Sequence, residues 1–315
     1  MSYRIPARLA GLVLAAGLLA ACGGGDEGGD DGDDPLAADG GGGCVGSDGD
    51  AVVVGSANFS ENVLLAEIYA QSMEAAGVTV ERKLNIGSRE TYIPALQDGS
   101  IDLMPEYSGN TLLYFDEDAA ATDSDAVYDA LAEALPDGCQ ILEQSEAEDK
   151  DSLVVTQETA QSDGLTSIAD LDPVAGDYTV GGPPEFETRQ SGLVGIRDKY
   201  GFEFGEFKAL DVGGPLSVEA LLNGDVDVVN LFTTNPVIET EDLVVLEDPE
   251  NVFIAQNVVP LIAESKASDE VTEALDAVSA ELDTAQLVEL MKRVDIDQED
   301  PADVAQAWLS EKGLV

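Results

Sequence analysis

The run from Gly87 to Leu113, GSRETYIPALQDGSIDLMPEYSGNTLL, carries the pattern on which the fold turns. Tyr92, Ile93, Leu96 and Ile101 mark an apolar face, and Asp98-Gly99 is a turn signal. The order predicted is helix, tight turn, short strand, then a loop opening another helix. Ile101 to Met104 reads as the buried strand. Pro105 to Asn110 then leaves its carboxyl end, where open α/β sheets place their ligands.

The same unit occurs twice. Ala95 to Leu103, ALQDGSIDL, returns as Ala220 to Val228, ALLNGDVDV. Five residues past each aspartate stand Tyr107 and Phe232. Two similar α/β halves would each bring one aromatic to a shared cleft. Helix–turn–strand units with a glycine turn also recur by coincidence, and the repeat alone does not separate the two. Elsewhere, Val52 to Gly55 reads as a buried strand, Ser56 to Asn62 as a loop, and Val63 to Met73 as a helix ended by Gly77. Val78 to Leu84 and Leu153 to Val155 read as strands. Tyr178 to Gly182 is a third, and Gly181 to Arg189 opens a helix through Gly192 to Tyr200. The chain is expected to cross between halves near Ala147 to Asp151 and return near Asn251 to Val259.

Three segments resemble one family. Gly87 to Gly109 fits G-[ST]-x6-A-L-x-x-G-x-I-D-[LV]-x-P-E-Y-[ST]-G, Gly55 to Glu61 is similar to a G-S-x-N-F-[ST]-E core, and Gly181 to Arg189 is similar to G-x-x-[PQ]-E-F-x-x-R. All three resemble the substrate-binding proteins of osmoprotectant (glycine betaine/choline/carnitine) ABC transporters. The resemblance implies a bilobal periplasmic-binding-protein-like fold of type II, two α/β lobes joined by two crossover segments. It implies a receptor, not an enzyme, that captures a quaternary ammonium or zwitterionic solute in osmoregulation and passes it to a membrane permease. No cofactor is expected, and such receptors act as monomers. Residues 51–150 plus 255–315 would form the first lobe and 151–254 the second.

Composition narrows the classes further. The 315 residues carry 14 Lys+Arg against 64 Asp+Glu, a formal net charge of −50. Such a surface repels phosphate backbones, so nucleic acid is not an expected partner. With no histidine, His-based triads and His-ligated metals are excluded. The three cysteines are too scattered for a zinc cluster. An enzyme on this fold would have to rely on carboxylates or lysine alone.

Residues 1–21 read as a secretion signal, with Arg4 and Arg8 before the apolar run Leu9 to Leu19. Leu19-Ala20-Ala21-Cys22 is similar to a bacterial lipobox, which implies cleavage before Cys22 and a lipid anchor on the outer face of the membrane. Residues 22–50, rich in Gly and Asp, read as a flexible acidic tether. With Cys22 lipidated, Cys44 and Cys139 are expected to pair as a disulfide, the alternative being two free thiols.

The site chemistry follows from the ligand class. A trimethylammonium head donates no hydrogen bond and is held by aromatic faces. Tyr107 leads, with Phe232 opposite. A carboxylate tail suits a guanidinium fork, and Arg189 sits at the loop–helix junction of the family-like segment. Asp149 or Asp151 would orient Arg189 or approach the head. Asn58, Phe59 and Asn62 either line the cleft or form a helix start with a hydrophobic staple. The family's tyrosine cage is not kept: its second-lobe positions read Asn230-Leu231-Phe232 and Ile254-Ala255-Gln256-Asn257. A site with Asn230, Gln256, Asn257 and Arg189 leaves room for another zwitterion or polar solute, such as an amino acid or ectoine-like compound.

Overall fold

A computed structural model describes residues 42–315. The expected signal peptide, the lipidated Cys22 and most of the tether lie outside these residues. The described strands, in chain order, are β1 (Val52–Gly55), β2 (Val80–Lys83), β3 (Leu103–Tyr107), β4 (Cys139–Ile141), β5 (Asp151–Thr156), β6 (Thr179–Gly182), β7 (Glu206–Ala209), β8 (Val228–Phe232), β9 (Leu243–Val245) and β10 (Val258–Ala263). They form two sheets of the same design, β2-β1-β3-β10-β4 and β7-β6-β8-β5-β9. In each, the first three strands are parallel and the fourth runs antiparallel.

The strand pleat explains why each sheet is covered on both faces. Val52 and Val54 of β1 point into one core with Leu64, Ile68 and Trp308, and Val53 points into another with Ile93, Ile101 and Met104. The second sheet divides likewise. Leu153 and Val155 meet Val180 and Phe186, while Val154 meets Leu221 and Val229. Helix Ser60–Ala75 is buried along most of its length because the C-terminal helices Asp269–Glu281 and Pro301–Lys312 pack on it. Ser72 donates to Ala274 O at 3.1 Å and Gln71 to Ala302 O at 2.9 Å, fixing those helices to the first sheet's lobe. Among the described residues no helix is long and apolar enough to cross a membrane.

The repeated unit has one structural solution, used twice. Gly99 and Gly224 take left-handed φ angles of +76° and +71°, which turn the helix end back into the next strand. The aspartate that follows then clamps the neighbouring parallel strand. Asp102 donates its N–H to Val53 O at 2.8 Å and accepts the Val53 N–H on Oδ2 at 2.7 Å. Asp227 does the same with Thr179, at 2.9 and 2.8 Å.

Asp102 does more than its counterpart. It also accepts from Ser47 N at 2.6 Å and Ser47 Oγ at 2.7 Å, with Lys266 Nζ 3.7 Å away. Asp102→Ala therefore should cost about 2–3 kcal/mol and Asp227→Ala about 1 kcal/mol, by urea unfolding. Equal losses would mean that the Ser47 bonds contribute nothing.

Those bonds also correct the expected tether. Residues 44–50 belong to the folded body: Cys44 and Cys139 form a disulfide with Cα atoms 4.8 Å apart, and Lys266 Nζ donates to Gly49 O and Ala51 O.

One further expectation changes. Pro105 to Tyr107 are not loop but the end of β3, and helix Ser108–Phe115 follows at once. β3 pairs along its whole length with β10, a partner remote in sequence. Pro105 faces Pro260 in that pairing, so two residues without an N–H share one rung. In the second lobe, Pro184–Glu187 makes a single 3-10 turn, and helix Leu193–Tyr200 follows with Gly192 at its cap, as expected.

The chain passes between the sheets at Glu148 to Lys150 and back at Ala255 to Asn257. The two crossings run side by side: Glu148 bridges Asn257, and Asp149 N donates to Gln256 O at 3.1 Å.

Candidate functional site

The carboxyl ends of β3 and β8 face one another beside these crossings. Tyr107 ends β3 and Phe232 ends β8. The loop after β1 sends Phe59 between them. Its ring centroid is 6.0 Å from Tyr107 and 5.1 Å from Phe232, so aromatic faces from the two lobes touch. Around this contact lies a cavity of about 50 Å³, lined by Asn58, Phe59, Tyr107, Asp149, Arg189 and Phe232 among others. That is room for one or two waters, and the lobes are closed on each other. Beyond the Phe59–Phe232 contact a larger cavity of about 500 Å³ opens against Glu61, Asp211, Val237 and Met291.

Four of the residues expected to line the cleft, Asn62, Asn230, Gln256 and Asn257, do not reach this cavity. Asn62 accepts from Ala57 N at 2.7 Å and donates to Pro105 O at 2.9 Å, shaping the loop that carries Phe59. Asn230 is buried in β8 and donates to Asp151. Gln256 accepts the Asn110 N–H at 2.8 Å, and its Nε2 is buried without a partner. Asn257 donates to Ser145 O and accepts from Ser124 Oγ.

Two guanidiniums line the cavity, and each is gripped by two prongs. Arg89, at the start of helix Arg89–Gln97, meets Glu106 of β3 at 3.0 and 2.7 Å, and both are buried. Burial opposes the Arg89 charge, but the Glu106 carboxylate outweighs it and holds the guanidinium charged. Arg189 reaches across the cleft to Glu90 at 2.9 and 2.8 Å. Half-burial alone would raise the Glu90 carboxyl. Arg189 overrides that and lowers it to about 2. Neighbouring residues thus divide the work, Arg89 inside the first lobe and Glu90 across to the second.

Asp149 does not orient Arg189. It joins a buried acid cluster at the hinge. Glu61 accepts from Tyr107 Oη at 2.8 Å and, across the cleft, from Thr234 Oγ1 at 2.6 Å. Asp149 accepts from Thr234 N at 3.1 Å. Burial raises Glu61, and burial plus the Glu61 charge raise Asp149 well above the usual aspartate range. Burial, then Glu61, also push the Tyr107 phenol up, leaving it a neutral donor.

Sequence alone assigns Glu61, Arg89, Glu90, Glu106 and Asn110 no role. Glu106 gave no local signal, because the sequence reads Pro105 to Asn110 as loop; only its place in β3 makes it a buried carboxylate that must have a partner. Which arginine supplies it cannot be read from spacing.

Two opposed α/β lobes, hinged by paired crossings and closed over an aromatic-walled cleft, define the class of bilobal solute receptors. Comparison with known proteins narrows this. Residues 50–311 match the family described as the substrate binding domain of ABC-type glycine betaine transport system, and the chain belongs to it. This is a transporter family of extracytoplasmic substrate-binding components, not an enzymatic one.

The chain is 28% identical over 284 residues to the glycine-betaine-binding protein of Pseudomonas aeruginosa, covering 85% of this chain and 90% of that one. It is 26% identical over 276 residues to the glycine betaine-binding protein YehZ of Escherichia coli, covering 83% and 90%. Among solved structures, one titled as a glycine betaine/carnitine/choline ABC transporter superposes with a TM-score of 0.66 at 21% identity. It covers 84% of this chain and 99% of that one, and shows the same fold.

Proposed function

We propose that the cleft between the lobes captures a quaternary ammonium solute of the betaine and choline class and delivers it to the permease. The observation that carries this reading is the convergence of Phe59, Tyr107 and Phe232, from both lobes, on one cavity. Each aromatic face offers a methylated ammonium about 0.5–2 kcal/mol, the more so as water is excluded. Entry requires the Phe59–Phe232, Glu90–Arg189 and Glu61–Thr234 contacts to part, and the lobes then close on the solute in place of those contacts it displaces. A zwitterion could use the Arg189 fork only by taking the place of Glu90.

In this reading the lobes comprise residues 51–150 with 255–315, and residues 151–254. Residues 1–21 are removed, Cys22 bears the lipid, and the chain acts as a monomer outside the cytoplasm. The disulfide and the Ser47 bonds then fix where the linking segment joins the first lobe.

Calorimetric titration with glycine betaine, choline, carnitine, proline betaine and ectoine tests the reading. At least one quaternary ammonium compound should bind with micromolar or tighter affinity, and Tyr107→Ala should weaken it about tenfold or more. Binding of ectoine alone would favour a polar-solute receptor on the same fold. Silence across the panel from folded protein would refute the proposal.

A further inference from the structure

Charges around the cavity do not cancel evenly. Arg89 is matched by Glu106 and Arg189 by Glu90, each through two bonds. No fork is left over for a ligand carboxylate. Glu185 also lines the cavity, 4.0 Å from the already occupied Arg189. Asp151, at the start of β5, is only 8% exposed and lines the same cavity. Among the described residues no ion pair includes it. Its oxygens accept only neutral amides, from Asn230 Nδ2 at 3.0 Å and Asn110 Nδ2 at 2.7 Å. A buried carboxylate without a counter-charge is costly, and a ligand cation is what would relieve it.

Asn110 adds a second mark. A carboxylate acting as a hydrogen-bond partner here accepts, so Asn110 must turn its NH2 to Asp151. Its Oδ1 is then a buried acceptor, and it has no donor. Asn110 also lines the cavity. The pair therefore presents one negative charge and one vacant acceptor. A betaine supplies a carboxylate there, which is repelled. A quaternary ammonium alcohol supplies a cation and an O–H.

From this, resting on the reading of the cleft as a quaternary ammonium site, we infer that Asp151 is the ligand's counter-ion and Asn110 its hydroxyl acceptor. The cleft selects a hydroxyl-bearing monocation over a carboxylate-bearing zwitterion. Arg189, in this account, is a latch on Glu90 and not a carboxylate clamp.

The test is a titration series on the intact protein with choline, glycine betaine and ethyltrimethylammonium, which lacks the hydroxyl. Choline is expected to bind tightest. Ethyltrimethylammonium should be about tenfold weaker for the lost bond to Asn110, and glycine betaine about 10- to 100-fold weaker for the unfavourable charge. In Asp151→Asn the choline-to-betaine ratio should collapse toward one. A merely structural Asp151 would weaken both ligands alike and leave the ratio, which would overturn the inference. If Asp151→Asn does not fold, the wild-type series decides. Glycine betaine equal to or tighter than choline sinks the inference but leaves the cleft reading intact. Absence of binding by all three compounds removes both.

Discussion

Removing the Glu106 carboxylate alone is expected to cost the fold about 3–5 kcal/mol, the largest effect of any single substitution considered for this chain. Glu106 is fully enclosed in β3, and Arg89 is 6% exposed. A guanidinium cannot discharge itself by losing a proton at any ordinary pH. In Glu106→Ala it would therefore be left charged, largely desolvated and without its two-pronged partner. Tyr92 offers its ring at 6.0 Å from the guanidinium carbon, a contact too weak to replace a carboxylate. Glu106 also accepts the Tyr107 N–H at 3.1 Å, so its loss loosens the residue at the head of the cleft as well.

The informative comparison is with the double replacement Arg89→Met with Glu106→Leu. It removes both charges while keeping volume, and should recover most of the loss. Urea unfolding of the two variants and the parent measures this. If the double variant is as unstable as Glu106→Ala, the cost is packing rather than an abandoned charge. This pair then has no special standing in the first lobe.

The repeat, the glycine turns and the alternation of Val52 to Val54 were readable because they are local: each depends on residues within a helix turn or a strand pleat. The pseudo-symmetric placement of Tyr107 and Phe232 followed from register alone. What escaped was set by partners far along the chain. β10 converts Pro105 to Tyr107 from loop to strand from a distance no local pattern signals. Asn62, Gln256 and Asn257 carry side chains suited to a ligand, but the structure spends them on carbonyls and amides at the hinge. Arg189 illustrates the same limit. Its chemistry was plain from its type, and its actual partner, Glu90, sits on the opposite lobe in a helix with no sequence link to it. In a chain with 64 acids, spacing does not reveal which of them meets a given arginine.

The buried acids at the hinge give the second large effect. As pH rises above about 4, stability should fall, with Asp149 alone contributing a slope of up to about 1.4 kcal/mol per pH unit until its folded carboxyl also ionises. Burial first, and then the Glu61 charge, hold the folded Asp149 carboxyl well above its ordinary value of 3.8. In the window just above that value the folded chain keeps a proton that the unfolded chain has released. Raising pH therefore favours unfolding, and the stabilisation is fully present only below the unfolded pKa. Glu61 adds to the same trend, raised by burial and, further off, by Asp295.

Glu90 works in the opposite sense, but elsewhere. Lowered to about 2, its contribution is complete above its ordinary value of 4.5 and is lost only in stronger acid. Maximal stability should thus fall near pH 4–5. General repulsion among the many surface carboxylates gives a slope of the same sign as Asp149, so the parent profile does not assign it. Asp149→Asn does. Its amide can accept from Thr234 N and donate to Glu61, as the protonated acid does, without titrating. Urea midpoints measured from pH 4 to 7.5 should show a flatter profile for Asp149→Asn, with the greatest gain at the high end. If the two profiles run parallel, Asp149 is ionised in the folded chain and the hinge cluster stores no proton.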